Sequence, residues 1–297
     1  MYDIANDETA SLFRRGERFK RFGELDAAEE ALRAVVDADP THHQAWNLLG
    51  LVYQDSEAFG EAMECFERAT ELVQKWIEPV ENLGMLYYSQ GLFEQAVKTL
   101  GDYLKLGGTE VDALLALAKS AAQMDDCRTV LSVTSSILDV ADDLFEVWEM
   151  RGVCQARLER YNAACTSLSV AIDLNPRTLN SINVVGDLCY EAENYLRAAE
   201  FYQSSLSVKR NQPYVLFRFG TSLWFLGRWA EAIECLEKYT ALVSEDPRGW
   251  NNLGVALREK GDRMRAMECY KEALAIDHGL DIVRQNLEAD RRMQVML

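Results

Sequence analysis

WNLLGLVY at residues 46–53 and WNNLGVAL at 250–257 share Trp, Asn, Leu and Gly at matching places. Trp46 and Trp250 lie 204 residues apart, six times 34, so the chain is read as a repeat with a 34-residue period. Working outward from these two strings without insertion or deletion, units begin at Thr9, His43, Ile77, Val111, Phe145, Leu179, Pro213 and Pro247. The expected organisation is a lead-in over 1–8 and eight units at 9–42, 43–76, 77–110, 111–144, 145–178, 179–212, 213–246 and 247–280. A capping helix over 281–297 follows.

The residues that recur test this register. The eighth position is Gly16, Gly50, Gly84, Ala118, Gly152, Gly186, Gly220 and Gly254, a small residue where two helices approach closely. The twentieth is Ala28, Ala62, Ala96, Val130, Ala164, Ala198, Ala232 and Ala266, and again only the fourth unit departs. Large apolar residues hold the fourth and twenty-fourth positions at spacings of 3 and 4, the signature of amphipathic helices. All five prolines stand at expected helix junctions, and Gly23, Gly91, Gly227 and Gly261 mark turns within units. The second helix of the fourth unit, CRTVLSVTSSIL at 127–138, is rich in weak helix formers and is expected to be the weakest interface and a hinge.

The unit Trp46, Leu49, Gly50, Tyr53, Ala62, Phe66, Ala69 resembles the tetratricopeptide repeat family, and the resemblance covers 272 of 297 residues. It implies an all-α fold, a right-handed superhelical solenoid of antiparallel helix pairs whose concave face is lined mainly by the first helix of each pair.

Composition narrows the function. With 31 Lys and Arg against 48 Asp and Glu, the net charge of −17 disfavours phosphate-driven nucleic-acid binding and an anionic membrane surface. No apolar run reaches 18 residues, so no membrane insertion is expected. The N-terminal residues show no secretory signal, and seven scattered Cys include no C-x-x-C pair, so the expected location is cytoplasmic. Phosphate-loop, dinucleotide, zinc-protease and nucleophile-elbow motifs are absent, which predicts a non-enzyme without catalytic residues, cofactor or metal. His42 and His43 are read as exposed turn residues. Cys65, Cys235 and Cys269, all at the twenty-third position, are read as packing residues.

The expected partner is another protein, bound as an extended or helical segment. The family's groove positions select an acidic central set, Glu78, Glu81, Glu146, Glu149 and Asp187, and C-terminal arginines Arg218, Arg248 and Arg258. Asn47, Asn82, Asn183, Asn251 and Asn252 offer donor and acceptor to a peptide backbone, as an asparagine ladder does in peptide-binding members of the family. Tyr214, Phe217 and Trp224, with Tyr190 and Phe225 nearby, suggest a hydrophobic docking pocket. A partner should therefore carry basic residues against the acidic set, carboxylates near the arginines and apolar anchors beside Phe217 and Trp224. The carboxylate clamp of chaperone-binding members is not reproduced, since Asp187 would repel a terminal carboxylate. Two other readings stay open, a homo-oligomer that self-associates as a structural solenoid and the regulatory arm of an enzyme complex.

Overall fold

The computed structural model describes residues 2–295, and among them it contains 17 helices and no strand. The chain divides into two compact units, residues 1–142 and 143–297. The first holds α1 (Tyr2–Arg21), α2 (Leu25–Ala38), α3 (His43–Asp55), α4 (Phe59–Leu72), α5 (Ile77–Ser89), α6 (Phe93–Lys105), α7 (Val111–Gln123) and α8 (Cys127–Leu138). The second holds α9 (Phe145–Arg157), α10 (Tyr161–Leu174), α11 (Leu179–Glu191), α12 (Tyr195–Val208), α13 (Pro213–Phe225), α14 (Trp229–Leu242), α15 (Pro247–Lys260), α16 (Arg263–Ile276) and α17 (Asp281–Val295). Helices α3, α5, α7, α9, α11, α13 and α15 start at the residues where the 34-residue register starts a unit. Residues 2–8, read as a lead-in, belong to α1.

Each pair closes through the same turn. The fifteenth residue takes a left-handed conformation at Gly23, Gly91, Gly227 and Gly261, and also at Glu57, Asp125, Glu159 and Glu193. The following N–H then reaches the carbonyl five residues back, as from Ala58 to Tyr53 at 2.8 Å and from Arg228 to Leu223 at 2.9 Å. That bond satisfies a carbonyl which the ending helix leaves open. Glycine adopts this conformation without steric cost, so the four non-glycine turns carry strain that tertiary packing sustains.

The eighth and twenty-fourth positions meet in the seven pairs that carry the glycine. A Cβ built on Gly50 would stand 2.6 Å from the Phe66 ring, and one on Gly254 would stand 2.5 Å from Tyr270. The alanines at the twentieth position, from Ala28 to Ala266, are fully buried beside these contacts. In the fourth pair Ala118 replaces the glycine, and Thr134 stands where other pairs have Leu, Phe or Tyr. Both are fully buried, and the Thr134 hydroxyl donates to the Val130 carbonyl at 2.7 Å. The two departures compensate in volume.

In the second unit one continuous core runs from Ala198 to Leu287. Helix α17 contributes Val283 and Leu287 to it, so the last pair does not expose its apolar face. His42 and His43 both correct their reading as exposed turn residues: His43 is half-buried at the start of α3, edge-on to Trp76, and His42 precedes it. His42 is half-buried against Phe13, and its Nδ1 accepts the Ala45 N–H at 3.2 Å as the N-cap of α3.

Candidate functional site

The first-helix faces carry a repeated amide contact. In the first unit Asn82 Nδ2 donates to Asn47 Oδ1 at 3.1 Å, and in the second Asn286 Nδ2 donates to Asn251 Oδ1 at 3.3 Å. Both pairs are 35 residues apart, joining the fifth position of one first helix to the sixth of the next. Asn47 is buried, so it positions Asn82 instead of offering its own amide to a partner. At the equivalent place in α11 and α13, Asn183 faces a register partner that is arginine. Asn183 Nδ2 donates to Gln212 Oε1 at 3.4 Å instead.

That arginine, Arg218, pairs with Glu191 at 2.8 Å, and its guanidinium lies 4.5 Å from the Tyr190 ring centre and 5.5 Å from that of Tyr214. Asp187 accepts the Tyr202 hydroxyl at 2.6 Å, so its carboxylate is engaged within the chain. Burial, with Asp187 close by, pushes the Tyr214 phenol up to about 12. Arg248 forks onto Asp246 and lies 5.9 Å from the centre of Phe217, which packs against Tyr239. The bond from Arg248, and a further one from Tyr239, hold the Asp246 carboxyl down at about 2.

Glu149 departs most from its expected role. Its carboxylate accepts from the Thr178 hydroxyl, from Ser181 N at 3.2 Å and from Ser181 Oγ at 2.6 Å. All three bonds fall on Oε2, and they tie α9 to the start of α11. Glu78 and Glu146 are exposed. Glu81 is half-buried, and burial, with Glu110 and Glu78 nearby, raises its carboxyl above the usual range. Acidic character is thus retained on α5.

A hollow of about 290 Å³ opens on the second unit between α11, α13, α15 and α17. Tyr190, Trp224, Phe225, Val255 and Ile282 supply apolar walls, while Asn251, Asn252 and Asn286 supply amides. Trp224 is therefore in the expected pocket, whereas Phe217 and Tyr214 lie outside its lining. Tyr195 extends the aromatic surface. It stacks on Phe225 with centroids 4.1 Å apart and planes 4° from parallel, and it meets Tyr190 edge-on at 5.4 Å. Tyr195 and Ile282 were not singled out from sequence. The available signal for Tyr195 was the seventeenth position, aromatic at Phe59, Phe93, Tyr161, Tyr195 and Trp229.

Three larger hollows of about 670, 510 and 540 Å³ have a different origin. All open between successive second helices and share register positions, for example Glu67, Gln203 and Glu237. These three are crevices at equivalent junctions of the repeat, whereas the aromatic hollow is lined mainly by first helices. Cys235 and Cys269 line two of them. Burial pushes both thiols up to about 11, and Cys65 up to about 12, which suits packing residues.

Comparison with known proteins follows the same lines. The family model described as tetratricopeptide repeat matches residues 13–75 and 217–280. The human protein O-mannosyl-transferase TMTC1 is 22% identical over 86% of this chain and 26% of its own length. The Bos taurus BBSome complex member BBS4 is 21% identical over 84% of this chain and 48% of its own. The peroxisomal targeting signal receptor of Kluyveromyces lactis is 24% identical over 84% and 37%. The chain thus spans between a quarter and a half of the length of these relatives. Among solved structures, YrrB, described as a TPR protein with an unusual peptide-binding site, superposes with a TM-score of 0.56 at 14% identity. It covers 64% of this chain and 97% of its own. Pseudomonas aeruginosa pilF gives 0.55 at 20% identity, covering 72% and 97%. These structural likenesses establish the fold alone.

Proposed function

We propose, from the premise that this chain belongs to the tetratricopeptide repeat family, that it is a non-enzymatic scaffold or adaptor holding a segment of another protein on its first-helix faces. The observation that carries this reading is the hollow beside Trp224, Asn251 and Asn252, where apolar walls and convergent amides meet on an exposed surface. YrrB, with its described peptide-binding site, and BBS4, named as a member of a complex, support the same class. The proposed contact residues are Glu78, Glu81 and Asn82 in the first compact unit, and Glu146, Asn183, Tyr214, Arg218, Arg248 and Arg258 in the second. Asn47, Glu149, Asp187 and Phe217 support them from beneath or beside.

The division into eight units over 9–280 with a cap at 281–297 belongs to this reading and is supported by the helix starts. A cytoplasmic location, with no nucleic acid or cofactor, completes it. Among the described residues no helix is long and apolar enough to cross a membrane.

The test is capture of partners on the immobilised full chain, repeated with a Phe225→Ser, Asn252→Asp variant, both sites lying at or near the surface. A partner held by the parent chain and lost by the variant supports the reading. If nothing is retained, and sedimentation shows assembly that rises with concentration, self-association replaces it.

A further inference from the structure

We infer that the outer face of α1, with Arg15, Arg18 and Phe22 at its centre and Arg14 and Arg21 along one border, docks an acidic helical segment of another protein. The inference goes beyond the groove reading, because it concerns a different side of the helix. Its first support is the repeat register. In α3 and α5 the seventh and tenth positions are the buried Leu49, Val52, Leu83 and Leu86. At the eleventh, Tyr53 and Tyr87 donate to Glu29 and Glu67 of the preceding second helix, at 3.1 and 2.5 Å. The same three positions of α1 are Arg15, Arg18 and Phe19, and both arginines are exposed. A helix can therefore lie along α1 as α2 lies along α3 and α4 along α5.

The second support is chemistry on that face. Residues 14–21, RRGERFKR, hold five of the 12 Lys and Arg of the first compact unit and one acid. Lys20 pairs with Asp55 at 3.0 Å, whereas Arg14, Arg15, Arg18 and Arg21 are exposed and have no ion pair among the described residues. At spacings of 4 and 3, Arg14, Arg18 and Arg21 share one stripe, with Arg15 and Phe22 beside it. The Arg15 and Arg18 guanidiniums lie 5.9 and 5.5 Å from the Phe19 ring centre, which holds them close to the helix, and Phe22 is 68% exposed. Forked donors beside an uncovered ring suit carboxylates with an apolar side chain among them.

The extent of the charge selects the occupant. Outside 14–21 the first compact unit carries 7 Lys and Arg against 25 Asp and Glu. With a Debye length of about 8 Å at 0.15 M salt, two turns of a partner helix, about 11 Å long, sense mainly the arginines, whereas a membrane or a nucleic-acid duplex would also meet the acidic remainder. A second copy fits less well. On α17 the exposed Arg284, Arg291 and Arg292 outnumber the exposed Asp281 and Glu288, so stacking of that helix on α1 would bring like charges together.

The experiment measures, by fluorescence anisotropy, binding of the full chain to a labelled helical peptide with glutamates every three or four residues and leucines between them, and to its glutamine counterpart. The glutamate peptide should bind at least about tenfold more tightly at about 0.05 M salt, and the advantage should shrink at about 0.5 M. Arg15→Glu with Arg18→Glu should weaken it about tenfold or more, while Arg33→Glu with Arg68→Glu, an equal change of net charge on exposed residues of other helices, should leave it within about twofold. Circular dichroism checks that both double variants stay folded. The Phe225→Ser, Asn252→Asp variant should bind the peptide like the parent; a loss there would move the peptide to the groove and overturn the inference. It is also overturned if the glutamine peptide binds as tightly, if Arg15→Glu with Arg18→Glu has no effect, or if neither peptide binds, which would leave the arginines to keep that face soluble. Tighter binding to phosphatidylserine vesicles or duplex DNA would overturn it by making the stripe a polyanion site. Self-association in sedimentation that Arg15→Glu with Arg18→Glu abolishes would do so by making a second copy the occupant.

Discussion

Gly50 and Gly227 serve different ends, and two substitutions to alanine separate them. At Gly50 an added Cβ meets the Phe66 ring at 2.6 Å, so Gly50→Ala should destabilise by about 1–3 kcal/mol through overpacking, although alanine is the better helix former. At Gly227 there is open space, and the cost comes from the left-handed backbone at φ 72°, about 1 kcal/mol. Glu193→Gly, at the same turn position with φ 58°, should by contrast be neutral or stabilising. Urea midpoints of the three variants check these signs. Asp246 gives a pH signature. Its carboxyl is held down at about 2 in the folded chain, so its contribution is present above about pH 4 and disappears as pH falls through about 2. Asp246→Asn should melt below the parent at neutral pH, and the difference should close on acidification. A gap that widens toward low pH would exclude this account.

At the scale of helices, α8 departs from its neighbours in composition yet buries Val130, Val133, Thr134 and Ile137. The compensation between Ala118 and Thr134 predicts coupling. Thr134→Leu alone should clash with the Ala118 methyl and destabilise, while adding Ala118→Gly should recover most of the loss. The two changes together would thus be non-additive by about 1 kcal/mol or more. Additive effects in a double-mutant cycle would show that the helices do not meet there. Whether α8 opens as a hinge is a separate question, answered by amide exchange. Residues 127–138 should exchange faster than 62–72 if the many Ser and Thr side chains weaken that helix. Helix α17 is the other exception. Its eighth position is the exposed Glu288, where seven of the eight first helices have glycine, so a second helix could not close on it as Phe66 closes on Gly50.

At the scale of the molecule, the two compact units differ in charge. Residues 1–142 carry 12 Lys and Arg against 26 Asp and Glu, a net −14, while residues 143–297 carry 19 against 22, a net −3. Contacts to Glu78, Glu81 and their neighbours should therefore weaken with salt, whereas apolar contacts on the second unit should persist, because screening acts on exposed charges and not on buried area. Binding of a captured partner to each unit, measured at about 0.05 M and about 0.5 M salt, tests that difference. The second unit should also fold alone, since its core from Ala198 to Leu287 closes without residues of the first. A fragment spanning 143–297 should unfold cooperatively, and its counterpart ending at 280 should be less stable because Val283 and Leu287 no longer cover the last pair. Equal urea midpoints for the two fragments would show that α17 contributes nothing.

The register, the helix starts and the turn positions were legible in the sequence because each depends on contacts that repeat every 34 residues. Gly50 must face Phe66, and the same demand recurs along the chain. The site was only partly legible. Sequence placed Trp224, Asn251 and Asn252 on one face, but it could not tell that one Glu149 oxygen would be bound by Thr178 and Ser181, or that Asn47 would be buried behind Asn82. Nor could it show that Arg218 would be held between two tyrosines and a glutamate. A repeat dictates which face a side chain leaves from. Which partner its polar atoms find depends on single residues of neighbouring helices, about 20 to 35 positions away, that the repeat does not constrain, and only the tertiary structure brings them together.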